Sequence, residues 1–224
     1  MVLSACDNGK ADGEEDDQVQ GRIIYEISYP YYDSESIMAG FLPKEMIMTF
    51  KGSKTKIDVH VKSLFSNILI ADEDDRSIKM LVQLSNQKYE ANLNEEQIDR
   101  YLSGFPEATY LETTQKDSLA GYDCDVTTAV LASISREVNL YHTQEIGLNQ
   151  PNWCNPYKAI PGVLLQYQVT MYGLTMNFKA TEVIMEDISD DEFSTPKDYD
   201  ETSFDKIERE LIRIFNSIQD EEPA

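Results

Sequence analysis

Residues 46–61 read MIMTFKGSKTKIDVHV. Met46, Met48 and Phe50 alternate with Ile47, Thr49 and Lys51. After Gly52-Ser53 the alternation resumes, with Ile57, Val59 and Val61 set against Lys56, Asp58 and His60. A period of two marks a strand with one face in a core and one in water, and Gly-Ser between two such runs closes a hairpin.

The same period extends in both directions. Upstream, Ile23, Tyr25, Ile27 and Tyr29 alternate with Ile24, Glu26 and Ser28. Downstream, Phe65 to Ala71 runs into the acidic turn Asp72-Glu73-Asp74-Asp75, and Ile78, Met80, Val82 and Leu84 follow. A turn at Ser85-Asn86 leads to Tyr89, Ala91 and Leu93. Asn94-Glu95-Glu96-Gln97 starts a short helix near 95–103 with Asn94 as N-cap, ending at Gly104 before Pro106. Strands resume over 109–114, 121–131, 137–143, 163–172 and 174–186, with Tyr172-Gly173 turning the last pair.

The period changes at the C-terminus. In TSFDKIERELIRIFNSI, Phe204, Ile207, Leu211, Ile214, Phe215 and Ile218 form one apolar stripe over an expected helix 203–218. Thr202 and Asp205 are the expected capping box. Burying six such side chains contributes roughly 9–18 kcal/mol gross, an upper bound, so the helix must dock. Closely spaced strands without a strand–helix rhythm predict a mainly β fold. It is a single strongly curved antiparallel sheet, a half-barrel, with a short helix and a C-terminal amphipathic helix packed on it.

Composition narrows the role. Hydrophobic residues at 41% can fill a core. The 41 acidic against 19 basic residues give a net charge of −22, which excludes nucleic acid as a partner because phosphate contacts need Lys and Arg. No stretch has the roughly 18 apolar residues of a membrane helix.

Leu3-Ser4-Ala5-Cys6 has the form of a bacterial lipoprotein cleavage box, with DNGKADGEEDDQVQ as a polar tether after it. Met1-Val2 supplies no apolar signal segment, so the reading takes the sequence to begin inside the signal. Cys6 is then the lipid attachment site, and the membrane is engaged through that anchor. The expected organisation is a lipobox remnant and tether over 1–21, one β-rich domain over 22–218 and a disordered tail over 219–224. The expected location is the bacterial envelope, on either side of the outer membrane, as a monomer.

Chemistry-bearing residues are sparse. In an exported domain Cys124 and Cys154 pair and leave Cys6 for lipid; otherwise they are two buried thiols. His60 and His142 stand alone, without the spacing of a metal site. The Asp72–Asp75 turn lacks the alternate ligands of a calcium loop. No nucleophile elbow, P-loop or dinucleotide fingerprint occurs, so neither a catalytic residue nor a cofactor is assigned. Met46, Met48, Met80 and Met176, with Tyr25, Tyr89, Tyr167 and Phe178, are the expected apolar lining of a ligand site, because Met adapts to irregular guests. Ordinary core is the competing reading.

Five segments in order, LPKEMIMTFKG, AGYDCDV, VNLYHTQEIG, IPGVLLQYQV and MNFKATEVIMEDISDDEFSTPKDYDE, resemble a family of Gram-negative lipoproteins of unknown function with a LolA-like fold. The resemblance spans residues 22–200 and includes Phe193, Pro196 and Tyr199 in the closing segment. It implies a curved sheet that holds a lipid-like hydrophobic ligand on its concave face. The alternative is a fully packed envelope protein acting through its acidic exterior on a protein partner.

Overall fold

The structure, a computed structural model, describes residues 18–33, 35 and 37–220. Cys6, the lipobox and most of the expected tether lie outside the described residues. The described residues form twelve strands: β1 (Gln20–Ser28), β2 (Glu45–Lys51), β3 (Lys54–Val61), β4 (Phe65–Asp72), β5 (Ser77–Leu84), β6 (Gln87–Leu93), β7 (Thr109–Leu119), β8 (Tyr122–Leu131), β9 (Arg136–Thr143), β10 (Val163–Met171), β11 (Leu174–Met185) and β12 (Asp200–Glu201). They form one open sheet in the order β12-β6-β5-β4-β3-β2-β1-β11-β10-β9-β8-β7. The pairs are antiparallel except for β12, which runs parallel to β6. The chain meanders from β1 to β6, crosses to the opposite edge at β7 and meanders back until β11 pairs with β1.

Among the described residues two α-helices accompany the sheet, α1 (Glu95–Ser103) and α2 (Phe204–Asp220). Asn94 caps α1 as expected: its Oδ1 accepts the Gln97 N–H at 2.9 Å, and the Gln97 side chain accepts the Asn94 N–H at 3.0 Å. The α2 cap differs. The helix starts at Phe204, and Ser203 Oγ accepts the Lys206 N–H at 3.3 Å, so Ser203 takes the place expected for Thr202. Ordered strand begins at Gln20, two residues before the expected boundary, and α2 runs two residues past its expected end.

The turn between β2 and β3 needs a positive φ, which Gly52 supplies at +56° without steric cost. Alternation then sends Ile23, Tyr25, Met46, Met48 and Ile57 to one face and Arg22, Lys51 and Lys56 to the other. The apolar face carries two clusters. One centres on Tyr25, Met46, Phe50, Leu140, Leu165 and Phe178, the other on Leu69, Met80, Ala91, Phe204, Ile207 and Leu211. The stripe on α2 therefore docks on the sheet through Phe204, Ile207 and Leu211, with Ile214 and Phe215 half-buried beyond them. The Ile218 side chain lies outside the described residues.

Two irregular segments complete the packing. The first, residues 144–162, lies over the apolar face as a plug. Trp153 and Cys154 enter one cluster, and Tyr157 and Ile160 the other. Buried Asn152 donates its side-chain N–H groups to the carbonyls of Ile160 and Gly162 at 2.9 and 2.8 Å. Glu73 accepts from the Asn149 side chain and the Gln150 N–H at 2.7 and 3.2 Å, and Arg76 stacks on Trp153 at 5.2 Å. Gly162 ends the plug at φ +70°, and a Cβ there would meet Thr143 O at 2.1 Å.

The second segment, residues 186–203, straps the opposite face. Its carboxylates meet the lysines and arginine of β1, β2, β3 and β6: Glu186 and Glu192 bind Arg22 at 2.7 and 3.0 Å, Asp190 binds Lys51 at 2.7 Å, Glu192 binds Lys56 at 3.0 Å and Asp198 binds Lys88 at 2.5 Å. Beyond β12 the chain rounds the β6 edge and returns over the apolar face as α2.

Candidate functional site

The registers align Val61 with Phe65, Phe65 with Leu84 and Leu84 with Gln87, so the β3–β4 and β5–β6 hairpins end in one row. The C-terminal part of α2 lies against this row. Phe215 packs edge-on to Phe65 with centroids 6.4 Å apart and stacks on Tyr172 at 5.5 Å. The segment after β1 supplies the remaining wall with Phe41, Leu42 and Pro43. Together these elements enclose a groove of about 440 Å³. Its floor and walls are apolar: Val61, Leu64, Phe65 and Leu84 from the hairpins, Ile214 and Phe215 from α2. Phe41 is 48% and Leu64 49% exposed, so apolar surface stands in water at the mouth. The polar lining groups come from two elements. Ser85, Asn86 and Gln87 come from a turn, and on α2 Arg213 donates through Nε and Nη2 to Glu210 Oε2 at 3.1 and 2.8 Å.

The residues expected to line a ligand site are placed elsewhere. Tyr25, Met46, Met48, Tyr167 and Phe178 pack in the first cluster with Met176 half-buried against it, and Met80 and Tyr89 belong to the second. Tyr167 stacks on Phe178 at 4.9 Å and meets Tyr25 edge-on at 6.0 Å. Its hydroxyl donates to Met46 Sδ at 3.8 Å, and the Tyr25 hydroxyl donates to Leu164 O at 2.8 Å. Burial pushes both phenols above their ordinary range. The void between these side chains and the plug is about 30 Å³, room for a single water and not for a chain. The expected open lining is closed core because residues 144–162 already cover it.

The expected Cys124–Cys154 bridge is not formed: both are free, buried thiols. Cys124 sits on β8 in the first cluster, its Sγ 3.6 Å from Tyr122 O, whereas Cys154 is carried by the plug into the second. Burial pushes the Cys154 thiol up to about 12, far from a reactive thiolate. Among the described residues no group of three His, Cys, Asp or Glu side chains is placed to hold a metal. Asp72 instead ties its own turn, accepting from Ser53 Oγ at 2.9 Å and from the Asp74 N–H at 3.1 Å.

His142 is buried, and both ring nitrogens are engaged. Pro161 O, an acceptor only, lies 3.0 Å from Nδ1, which therefore carries the proton; Nε2 accepts from Thr127 Oγ1 at 3.0 Å. Burial lowers its pKa from the ordinary 6.5, outweighing the Pro161 hydrogen bond and Asp125, which raise it. The unfolded chain then takes up the proton more readily than the native one. Stability from this site is complete above 6.5 and is lost as pH falls from there toward the lower native value. The melting temperature falls between pH about 7.5 and about 5, and His142→Gln flattens that slope. Equal slopes in the two proteins would remove His142 as the cause. The carboxylates Asp190, Glu192 and Asp198 are held below their ordinary values by Lys51, Lys56 and Lys88 respectively, so their contribution is lost only on further acidification.

The groove escapes sequence reading because its walls come from turns and element ends scattered from Phe41 to Phe215. The one available signal was the run of apolar residues left over at hairpin ends, Leu64-Phe65 and Leu84.

No family model matches the sequence, and no curated protein matches it. Among solved structures, two crystal forms of PNGF-II are similar, with TM-scores of 0.53 and 0.54 and identities of 13% and 12%. Each match covers 88% of this chain but 33% and 34% of PNGF-II, so the chain spans about a third of that protein and shares a fold with that part alone. The LolA superfamily protein NE2245 from Nitrosomonas europaea is 10% identical over 79% of this chain and 90% of its own, with a TM-score of 0.20.

Proposed function

We propose that the protein is a non-enzymatic, lipid-anchored envelope protein that holds an apolar, lipid-like ligand in the groove between α2 and the two hairpin ends. The observation that carries this reading is the 440 Å³ apolar groove with half-exposed Phe41 and Leu64 at its mouth. Its volume falls within the range of small-molecule sites, and its lining is mostly apolar with a few polar groups, as in such sites. The finer fold reading, a strongly curved LolA-like half-barrel, belongs to the same proposal. Twelve strands in one sheet with a helix and a plug on one face favour curling. In the same reading Cys6 carries the lipid anchor and the protein is a monomer on the outer membrane, on either side of it; acyl-mass analysis of the N-terminal peptide tests the anchor.

Catalysis is not part of the reading. Both buried thiols are held away from ionisation, and both nitrogens of His142 are occupied by structural partners. The closed Met and Tyr core, with its 30 Å³ void, favours the second reading at that place: a packed scaffold presenting its surface to a protein partner.

Titration of the neutral fluorophore N-phenyl-1-naphthylamine separates the two. The native protein is expected to bind it and to release it to dodecanol. Phe41→Glu with Leu64→Glu, both at exposed positions, abolishes binding while leaving melting within a few degrees. An unaltered titration in that variant would put the probe outside the groove and refute this site, and no binding by the native protein would leave the packed scaffold as the surviving account.

A further inference from the structure

The charge around the groove says more about its guest. The chain carries 41 acidic residues, and across the strapped face Arg22, Lys51, Lys56 and Lys88 each meet a carboxylate. Lys44 and Lys62 do not. Both are exposed, and neither forms an ion pair among the described residues. Unpaired lysines occur elsewhere on the surface; these two are set apart by their place. Lys44 directly follows Pro43, which lines the groove, and continues the inward alternation of Met46 and Met48. Its carbonyl accepts the Ile27 N–H at 2.9 Å, fixing the backbone there. Lys62 stands between Val61 and Leu64, two further lining residues, in a turn held at φ +48°. Arg213 lies on the α2 wall, and three of its five donors remain beyond the two given to Glu210. Lys44 and Lys62, left without carboxylate partners beside an apolar groove on a chain of net charge −22, together with the spare donors of Arg213 beyond its pair with Glu210, complement an anionic group joined to an apolar chain.

Resting on the reading of the groove as a ligand site, we propose that its guest is a single-chain amphiphile with an anionic head, a carboxylate or a phosphate, whose chain lies against Phe65, Leu84 and Phe215 and whose head is met by Lys44, Lys62 and Arg213. A volume of about 440 Å³ lies toward the small end of ligand sites, which suits one chain rather than two. The head stays in water at the rim, so its contribution is screened by salt.

The test compares dodecanoate, dodecyl phosphate and dodecan-1-ol, which share one chain, as displacers of N-phenyl-1-naphthylamine from the full chain. An anionic amphiphile is expected to displace the probe at about tenfold lower concentration than the alcohol, with the ratio shrinking at high salt. Whichever anion is tighter identifies the source, a free fatty acid or a phosphorylated lipid fragment. In Lys44→Gln with Lys62→Gln the anion-to-alcohol ratio falls toward one. If the alcohol matches both anions in the native protein, or if the ratio survives in the variant, the anionic head is refuted while the groove reading stands. If the probe does not bind at all, the groove reading falls, and this inference with it.

Discussion

Ile207→Asp is expected to abolish cooperative folding near physiological temperature. Ile207 is 0% exposed and lies with Phe204 and Leu211 in the cluster that α2 shares with Met80, Val82, Ala91 and Leu93. Removing a buried Ile side chain alone costs about 2–5 kcal/mol. Placing a carboxylate there without a partner adds several kcal/mol of desolvation. Against a total stability of about 5–15 kcal/mol, that is a large fraction or the whole. Leu211→Ala, which carries no charge, should lower the urea midpoint by an amount corresponding to about 2–5 kcal/mol. An unchanged midpoint in either variant would mean that α2 does not dock on the sheet.

Trp153→Ala is the second large effect. Trp153 fills the second cluster from within the plug, and its ring also supports Arg76. Truncation of a buried Trp costs about 3–5 kcal/mol. The plug then loses its grip at one end, while Asn152 still holds the carbonyls of Ile160 and Gly162 at the other. The neighbouring Cys154 reports the change. In the native protein its thiol stays silent toward a thiol reagent until global unfolding, since it is buried and free. In the variant it should react while the far-ultraviolet dichroism of the sheet persists. Equal protection in both proteins would show that the plug is held without Trp153.

Much of the fold was legible because its elements speak in short-range patterns. The Met46–Val61 hairpin, the Asn94–Gln97 cap and the Phe204–Leu211 stripe each announce themselves within a few residues, since side-chain direction repeats every two residues in a strand and every 3.6 in a helix. The plug does not. Its order comes from Asn and Tyr side chains bonding to backbone carbonyls, as when the Tyr157 hydroxyl reaches Gln168 O, and such bonds leave no periodic trace. The strap was equally opaque: Glu186, Asp190, Glu192 and Asp198 follow no period, and their partners lie on strands more than 100 residues away. For the apolar lining, residue type alone did not show which side chains are closed off. Met and Tyr suggested a receptive lining at Tyr25, Met48 and Tyr167, but the segment meant to be loop fills that space.

The wrap around the β6 edge has a consequence for how the molecule comes into being. A ribosome works from one end, and residues 204–220 are the last described element to be made. Until they emerge, Met80, Val82, Ala91 and Leu93 have no helix over them, and β6 gains its short parallel neighbour at residues 200–201 only just before. From the completion of β6 until the last residues emerge, the nascent chain therefore shows a sticky surface and, until β12 is made, an open strand edge, the combination that invites aggregation. A chain stalled before Phe204 should be bound by holding chaperones, whereas the finished one should be released.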